Sequence, residues 1–204
     1  MRRTEKMITI GLCGGSGSGK GSVARIFAAH GIPSVDCDAI YHKIVGSPGE
    51  CLDELVGEFG TGILSYGILN RRALAETVFS DKTGTRVKRL NAITHKYVIA
   101  EAERMIDGYR KDGVRAVVFD APLLFESGYD KKCDVIVAVI ADRDRRVARI
   151  IERDGLTPDA ARRRIYAQAS DDFLIENSDY VIHNDGTTAD LTKAVNELID
   201  KILF

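Results

Sequence analysis

The most constraining stretch of the sequence is an apolar run, Ile8–Cys13, that leads directly into the glycine-rich segment GGSGSGKGS at positions 14–22. This segment contains the spacing GxxxxGK, which ends in Lys20, and an apolar-periodic stretch follows at positions 23–29. A buried strand, a glycine loop and a helix in this order direct backbone N–H groups and a helix N-terminus toward one anion. Lys20 adds a compact positive charge where the β- and γ-phosphates of a nucleotide would lie. The stretch therefore predicts a phosphate-binding loop at the start of an α/β sheet.

One residue of this loop departs from the usual pattern. The lysine of such loops is normally followed by Ser or Thr, whose hydroxyl reaches Mg²⁺, but here Gly21 follows Lys20. Ser22 lies one residue further, about 100° around the helix, so its hydroxyl would need a local shift or a bridging water to serve as the ligand. Two interpretations stay open: a working site in which another group holds the metal, and an impaired nucleotide site.

Short apolar runs and helical patterns alternate along the chain. The predicted strands cover positions 8–13, 33–35, 114–119, 135–140 and 180–182. The predicted helices cover positions 23–29, 71–79, 87–106, 143–153, 158–169 and 189–203. This alternation predicts an α/β fold with a doubly wound, parallel five-stranded sheet.

Two intervals exceed what a simple strand–helix alternation needs. The long interval between the second and third predicted strands is mostly helical, with a glycine-rich break at positions 57–62, and this favours an inserted helical lobe over a long loop. A second insertion, at positions 143–175, contains eight arginines between Arg143 and Arg164. Both insertions are candidates for substrate-binding elements.

Carboxylates follow two of the predicted strands. Asp36 and Asp38 stand at i and i+2 where the second strand ends, so continued strand geometry would point both to one face. Asp120 ends the third strand, in the pattern of a magnesium-associated carboxylate. The structural alternatives are that Asp38 caps a helix beginning at Ala39 and that Asp120 only starts a turn. Because the carboxyl ends of parallel strands bind ligands, these carboxylates are candidates for proton acceptance and metal binding.

Three arginines of the second insertion share one face of a predicted helix. Arg146, Arg149 and Arg153 fall at i, i+3 and i+7. Guanidinium groups placed this way can bind a triphosphate and stabilise charge that develops during phosphoryl transfer. A solvated helix face with neighbouring carboxylates is the structural alternative, and Arg153 is the strongest single candidate for a functional role.

Composition excludes several classes of protein. The formal net charge of −1 argues against a general nucleic-acid binder. No run approaches the roughly 18 apolar residues of a membrane span, and the apolar run near the N-terminus is too short for a signal peptide. The four cysteines are scattered without close pairs, which is typical of reduced thiols in a cytoplasmic protein.

The order of motifs along nearly the whole chain resembles that of the dephospho-coenzyme A kinase family. The motifs are GGSGSGK, VDCD, FGTGIL with GILNRRAL, LNAITH, PLLFE, RIIERDG, Gln168 and DYVIHN. Many kinases share the loop motif, whereas FGxxIL followed by GxLNRxxL, and PLLFE after a strand, are much more specific to this family.

The resemblance implies a P-loop kinase fold and an enzyme that phosphorylates the ribose 3′-hydroxyl of dephospho-CoA with ATP, the last step of coenzyme A biosynthesis. The implied partners are ATP, Mg²⁺ and dephospho-CoA, with no nucleic acid, membrane or obligatory protein partner. A single domain over positions 1–204 would then comprise a core (1–40, 113–142 and 176–204), a helical substrate lobe (41–112) and a lid (143–175). The alternatives are another small-molecule kinase acting on nucleosides or nucleotides, and a catalytically impaired nucleotide-binding protein.

Site residues follow from the loop and from the resemblance together. The expected catalytic residues are Lys20, Asp38 and Arg153. The expected ATP-binding residues are Gly15, Ser16, Gly17, Ser18, Gly19, Lys20, Gly21, Ser22 and Arg149. The expected substrate-binding residues are Asp38, Arg72, His95, Leu123 and Leu124, and the expected metal ligands are Ser22, Asp38 and Asp120.

The chain departs from the family's pattern at two positions. Gly21 stands where members typically carry Ser or Thr, which leaves the source of magnesium ligation open. Lys96 stands where members typically carry Pro after the histidine, and we expect the helix to continue through it because Pro is absent.

Overall fold

The computed structural model describes residues 6–204, so the first five residues of the predicted core segment lie outside it. Its strands are β1 (Ile8–Cys13), β2 (Ser34–Asp36), β3 (Leu64–Ser65), β4 (Ile68–Leu69), β5 (Ala116–Asp120), β6 (Val135–Ile140) and β7 (Tyr180–His183). Its helices are α1 (Lys20–Ala29), α2 (Cys37–Val45), α3 (Glu50–Phe59), α4 (Arg71–Phe79), α5 (Thr85–Lys111), α6 (Arg143–Asp154), α7 (Pro158–Tyr166), α8 (Asp171–Glu176) and α9 (Thr188–Leu203).

A five-stranded sheet with the order β2-β5-β1-β6-β7 confirms the predicted doubly wound architecture. β1 pairs in parallel with β5 on one side and with β6 on the other, and β6 pairs in parallel with β7. The register sets Leu12 opposite Asp120 and Ile140 opposite His183. The strands therefore end together, and the loop after β1 leaves from the middle of the carboxyl edge, where open α/β sheets bind ligands.

The sheet is buried because its strands are apolar on both faces. Every residue of β5 is buried, and its first four residues, AVVF, are continuously apolar as expected for an inner parallel strand. One core cluster joins Ile10 and Val139 of the sheet to Phe27 of α1 and Val195 of α9. Burial of these side chains anchors α1, and with it the end of the glycine loop, to the sheet.

The described chain divides into two compact units. One contains the residues up to Val35 together with Gly108–Phe204, and the other contains Asp36–Asp107. The second unit has a core of its own, in which Leu55, Val78 and Ile93 are buried. Its short hairpin β3–β4 was not predicted from the sequence.

Helix α5 is longer than the sequence pattern indicated, and it continues through Lys96 as expected. The Lys96 ammonium forms an ion pair with Glu54 of α3 at 2.5 Å, and the Tyr97 hydroxyl donates to the same carboxylate at 3.0 Å. The hydrogen bond from Lys96 is the main reason that the pKa of Glu54 lies below its ordinary value. The chain thus keeps a continuous helix through Lys96 and joins it to α3.

Among residues 6–204, no helix combines the length and the apolar character that crossing a bilayer would require.

Candidate nucleotide-binding site

The loop between β1 and α1 requires glycine at positions 17 and 19, both for backbone conformation and for space. Gly17 has φ 78° and Gly19 has φ 100°, in the left-handed region that glycine adopts most readily. A Cβ at Gly17 would lie 2.6 Å from the carbonyl oxygen of Arg146, and one at Gly19 would collide with the side-chain amide of Asn184. Backbone geometry and close packing therefore both exclude larger residues at these positions.

Helix α1 begins at Lys20 immediately after this loop, three residues earlier than the apolar pattern indicated. Its N-cap residue, Gly19, has no side chain to cap the helix, and the first turn, formed by residues 20–23, contains no acidic residue. The first N–H groups of a helix have no acceptor within the helix, and the helix dipole concentrates partial positive charge there. The end of the loop therefore has the donors and the electrostatics of an anion site.

Lys20 and Asp120 form an ion pair in which the ammonium donates to the carboxylate. They come together because Lys20 follows β1 and Asp120 ends the neighbouring β5. Both side chains are largely buried, and Asp120 is 9% exposed. The predicted phosphate-binding lysine and one predicted metal carboxylate thus occupy one site.

The side chain of Arg149 binds the backbone of the loop. Its Nη1 donates to the carbonyl oxygens of Gly17 at 3.1 Å and Ser18 at 3.4 Å, and its Nη2 donates to the carbonyl oxygen of Asn184 at 2.9 Å. The Nδ2 of Asn184 donates to the Ser18 carbonyl oxygen at 2.8 Å. The carbonyl groups of the loop are therefore held by α6 and by the residue that follows β7.

Arg146 and Gln168 bind the first half of the loop. Arg146 is 2% exposed, and its Nε donates to the carbonyl oxygen of Ser16 at 3.0 Å while its Nη1 pairs with Asp171 at 2.8 Å. The Nη2 of Arg146 finds no partner in the part of the chain that the structure describes. Gln168 accepts from the Ser16 N–H at 2.8 Å and donates to the Ser16 hydroxyl at 3.2 Å.

Arg153 is oriented toward a carboxylate at the end of α6. Its Nε and Nη2 donate to the two oxygens of Asp154 at 2.7 and 2.9 Å, and Arg164 also donates to Asp154, at 2.5 Å. The Arg153 hydrogen bond is the main cause that lowers the pKa of Asp154 to about 2, with a smaller contribution from Arg164. The three arginines predicted on one helix face thus differ, since Arg146 and Arg149 bind the loop while Arg153 binds its neighbour.

The positions after Lys20 differ in what surrounds them. A Cβ built at Gly21 would have no other atom of the described residues within 4 Å, once the adjacent residues and the backbone of its own helix are set aside. The Ser22 hydroxyl accepts a hydrogen bond from Arg25 Nη2 at 2.9 Å, so it is directed along α1. Within residues 6–204, no group of three or more His, Cys, Asp or Glu side chains is arranged to hold a metal ion.

A small cavity of about 100 Å³ adjoins the start of the loop. Gly14 and Gly15 line it on one side, and Leu123 and Gln168 lie among its other walls. Leu123 is 39% exposed, whereas Leu124 is completely buried. A ligand at this surface would therefore contact Leu123, and the expectation that Leu124 also binds substrate is not supported, because its side chain packs in the core.

The remaining predicted residues lie in the unit formed by Asp36–Asp107. Asp36 accepts a hydrogen bond from the Ala39 N–H at 2.9 Å and caps α2, so the structural alternative in which Asp38 caps a helix beginning at Ala39 is wrong. The idea that both carboxylates extend from one strand face is also wrong, because the chain becomes helical at Cys37 and Asp38 lies in the first turn.

Two further expected substrate residues lie on helices of the same unit. Arg72 lies on α4, where it pairs with Glu76 at 2.8 Å, and His95 is a half-buried residue of α5.

Sequence reasoning omitted three residues from the site: Arg146, Gln168 and Asn184. Gln168 was noted only as a position of the family pattern. Arg146 was recognised only as part of an arginine row, and Asn184 only as the last letter of a family motif. Asn184 directly follows β7, so its place at the carboxyl edge of the sheet was a usable signal. The burial of Arg146 could not be predicted from the sequence, since charged residues in such runs are usually exposed to solvent.

Comparison with known proteins identifies relatives over nearly the whole chain. The model of the family described as Dephospho-CoA kinase matches residues 8–190. A dephospho-CoA kinase of Corynebacterium glutamicum is 40% identical over 198 residues, which cover 97% of this chain and 98% of that protein. A dephospho-CoA kinase of Symbiobacterium thermophilum is 40% identical over 191 residues, which cover 92% of this chain and 78% of that protein.

Solved structures have the same fold. The protein TT1252 from Thermus thermophilus superimposes with a TM-score of 0.80 at 31% identity, covering 96% of this chain and 98% of the other. Dephospho-CoA kinase from Campylobacter jejuni superimposes with a TM-score of 0.69 at 24% identity, covering 96% of each chain. Shikimate kinase from Acinetobacter baumannii, at 17% identity and a TM-score of 0.54, shares the architecture.

Proposed function

The chain belongs to the dephospho-CoA kinase family, and we propose that it transfers the γ-phosphoryl group of ATP to the ribose 3′-hydroxyl of dephospho-CoA, giving coenzyme A and ADP as the last step of coenzyme A biosynthesis. The observation that carries the proposal is the glycine loop, with Lys20 held against Asp120 at the carboxyl edge of the sheet, in a chain that matches this family over residues 8–190. The free cysteines support an assignment to the reducing cytoplasm.

The loop and Lys20 bind the phosphates of ATP. The N–H groups at the start of α1 contact phosphate oxygens, and the Lys20 ammonium is shared between Asp120 and the β- and γ-phosphates. Phosphoryl transfer passes through a loose transition state, so positioning and charge stabilisation supply most of the catalysis. The Lys20–Asp120 pair limits the rotamers of the lysine before ATP arrives, which reduces the entropy lost on binding.

Asp120 is the best-placed metal ligand in the unit that contains the loop. Mg²⁺ binds through one or two carboxylates together with phosphate oxygens and water, and the Asp120 carboxylate fits this donor set. Gly21 offers no ligand, and the Ser22 hydroxyl is engaged with Arg25. Asp120 would therefore hold the ion, with Ser22 as the less favoured ligand. The ion neutralises phosphate charge when it is bound.

Asp38 orients the acceptor hydroxyl and takes its proton as the phosphoryl group arrives. The residue lies in the first turn of α2 and is exposed. We assign Arg72, His95 and Leu123 to dephospho-CoA, and positions 41–112 to the substrate lobe. Positions 143–175 form the lid, in which Arg153 exchanges Asp154 for the transferring phosphate and stabilises its charge.

The proposal is tested by incubating the pure protein with ATP, Mg²⁺ and dephospho-CoA and measuring coenzyme A by mass. We expect one ADP for each coenzyme A formed. Removal of the lysine charge in Lys20→Met should lower kcat/KM by about 10²- to 10³-fold, as is typical when one charge-stabilising group is lost. Product from nucleosides instead of dephospho-CoA would assign a different acceptor, and ATP binding without any product would leave a nucleotide-binding protein.

A second variant tests the acceptor side of the same reaction. Asp38→Asn keeps the size of the side chain but removes its basicity, so kcat should fall by about 10²- to 10⁴-fold. The KM for ATP should stay within a few fold of the wild-type value. A kcat close to wild type would remove Asp38 from catalysis.

A further inference from the structure

The carbonyl side of the phosphate-binding loop is held by side chains from two distant parts of the sequence. Arg149 uses Nη1 for the carbonyl oxygens of Gly17 and Ser18 and uses Nη2 for that of Asn184, at distances of 2.9 to 3.4 Å. Three backbone acceptors therefore engage both terminal nitrogens of one half-buried guanidinium. Its planar fork suits this task, because several donors diverge from one rigid group.

Asn184 holds the same carbonyl group from a fixed position. Its backbone N–H donates to the carbonyl oxygen of Ile140 at 2.8 Å, which ties it to the end of β6. Its Nδ2 donates to the Ser18 carbonyl oxygen at 2.8 Å, and the residue is 7% exposed. The Ser18 carbonyl thus receives donors from both Arg149 and Asn184.

Fixing these carbonyl groups also fixes the donors on the other side of the loop. In a planar trans peptide the C=O and the N–H point in opposite directions, so the Ser18 carbonyl sets the direction of the Gly19 N–H. The Ser16 carbonyl, held by Arg146 at 3.0 Å, likewise sets the direction of the Gly17 N–H. Side chains on one side of the loop therefore determine where its N–H groups point on the other.

We propose that Arg149 and Asn184 are positioning residues of the ATP site, which act by holding the Ser18 carbonyl so that the loop N–H groups are preorganised for phosphate. This assignment differs from direct contact of Arg149 with ATP, the role expected from the sequence. It rests on the proposed phosphate-binding role of the loop. Preorganisation lowers the ordering cost of binding any ligand that places a phosphate on the loop.

The test compares ADP and ATP binding by calorimetry in the wild type and in Arg149→Ala, Asn184→Asp and Arg145→Ala. Asn184→Asp keeps the side-chain shape but places an oxygen against the Ser18 carbonyl. Arg145→Ala is the matched control, since Arg145 is an exposed arginine of the same helix. We expect the first two variants to weaken ADP and ATP by the same factor, about tenfold or more, and the control to bind both as the wild type does.

Amide hydrogen exchange of the ligand-free proteins provides the readout that direct contact would not change. We expect faster exchange at residues 17–21 in Arg149→Ala and Asn184→Asp, and unchanged exchange in the control. In the assay with dephospho-CoA, the KM for ATP should rise by a larger factor than kcat falls. The double variant should lose less affinity than the product of the two single losses, because both residues act on one carbonyl.

Other outcomes would overturn the inference. Loss of ATP affinity without loss of ADP affinity, together with unchanged loop exchange, would show that Arg149 contacts the γ-phosphate. If Arg149→Ala does not fold, Arg149→Lys is tested in its place. Wild-type affinity for ATP in Arg149→Lys would indicate that the positive charge contacts ATP directly. Continued loss of affinity would indicate that the loop needs the several donors of the guanidinium group. Failure of the wild type itself to bind ATP or form coenzyme A would instead reject the proposed function.

Discussion

Gly19 at the end of the loop and Gly21 in the first turn of α1 lie two residues apart, yet they tolerate side chains very differently. Gly19 has a left-handed φ and faces the Asn184 amide, whereas the space around Gly21 is open. Glycine is therefore required at position 19, whereas position 21 has room for a side chain.

This difference predicts opposite effects of alanine. Gly19→Ala should distort the loop and weaken ATP binding by tenfold or more, because neither the backbone conformation nor Asn184 accommodates a Cβ. Gly21→Ala should bind ATP normally and raise the free energy of unfolding by about 0.4–1 kcal/mol, since alanine restricts the unfolded chain and favours the helix. Denaturant unfolding and calorimetry measure both effects. A loss of affinity in Gly21→Ala would contradict the open geometry at this position.

Magnesium binding offers a second prediction at the residue scale. Asp120→Asn should raise the Mg²⁺ concentration needed for half-maximal activity by about tenfold or more, because it removes the carboxylate at the site. Ser22→Ala should leave that concentration within about twofold of wild type, since its hydroxyl is bound to Arg25. Gly21→Ser should keep or improve Mg²⁺–ATP affinity, because the added hydroxyl stands where related loops carry one. A larger effect of Ser22→Ala than of Asp120→Asn would assign the metal to Ser22.

At the scale of elements, α6 ends in a charge cluster whose pH dependence can be worked out. Hydrogen bonds from Arg153 and, to a smaller extent, Arg164 lower the pKa of Asp154 from 3.8 to about 2. Because the folded-state pKa is depressed, the stabilisation is present above about pH 4 and is lost as the pH falls toward 2. The α6–α7 corner therefore weakens only in strong acid.

Replacing either arginine should raise the pKa of Asp154, and Arg153→Ala should raise it more than Arg164→Ala. A ¹³C NMR titration of the carboxyl group measures both shifts. Asp81 is an internal control, because hydrogen bonds from Thr83 and the Arg86 N–H lower its pKa to about 2 without help from either arginine. An unchanged pKa of Asp154 in Arg153→Ala would show that this pair does not persist in solution.

The strands and helices show which parts of the fold could be predicted from sequence patterns. The apolar runs located all five strands of the large sheet to within two residues, because buried parallel strands are continuously apolar. The sheet order was not predicted, since pairing depends on contacts between segments far apart in the chain. Helix α8 and the hairpin β3–β4 were missed because six-residue and two-residue segments are too short to display a period. Helices α2 and α3 were not predicted individually and were covered only by the prediction of a mostly helical interval.

The site shows the same division between local and distant information. Gly19 and Lys20 were recognisable because their spacing within one loop carries the chemistry. The partners of Arg149 could not be recognised, because they are backbone carbonyl groups. Every residue has such a group, so no sequence pattern distinguishes them. The capping role of Asp36 was missed because α2 begins at Cys37, two residues before Ala39, the start considered from the sequence.

At the scale of the whole molecule, the two units each have a buried core. We expect native-state hydrogen exchange to separate them into two groups of slowly exchanging amides with different dependences on denaturant. Val139→Ala and Val78→Ala form a matched pair, since both side chains are completely buried, one in each unit. Each should lower the exchange free energy of its own unit by about 2 kcal/mol more than that of the other. Equal effects on all slow amides would show a single cooperative unit.

The native thiols of this chain are shielded. Cys13, Cys37 and Cys51 are buried and Cys133 is half-buried, and burial raises the pKa of the Cys13 and Cys51 thiols. A thiol introduced as Gly21→Cys would instead be exposed at a helix N-terminus, where the thiolate is favoured. A fluorophore could then be attached at that one position without removing any native cysteine. The chain would become an optical sensor in which the arrival of a triphosphate is reported by a dye at the edge of its own binding loop.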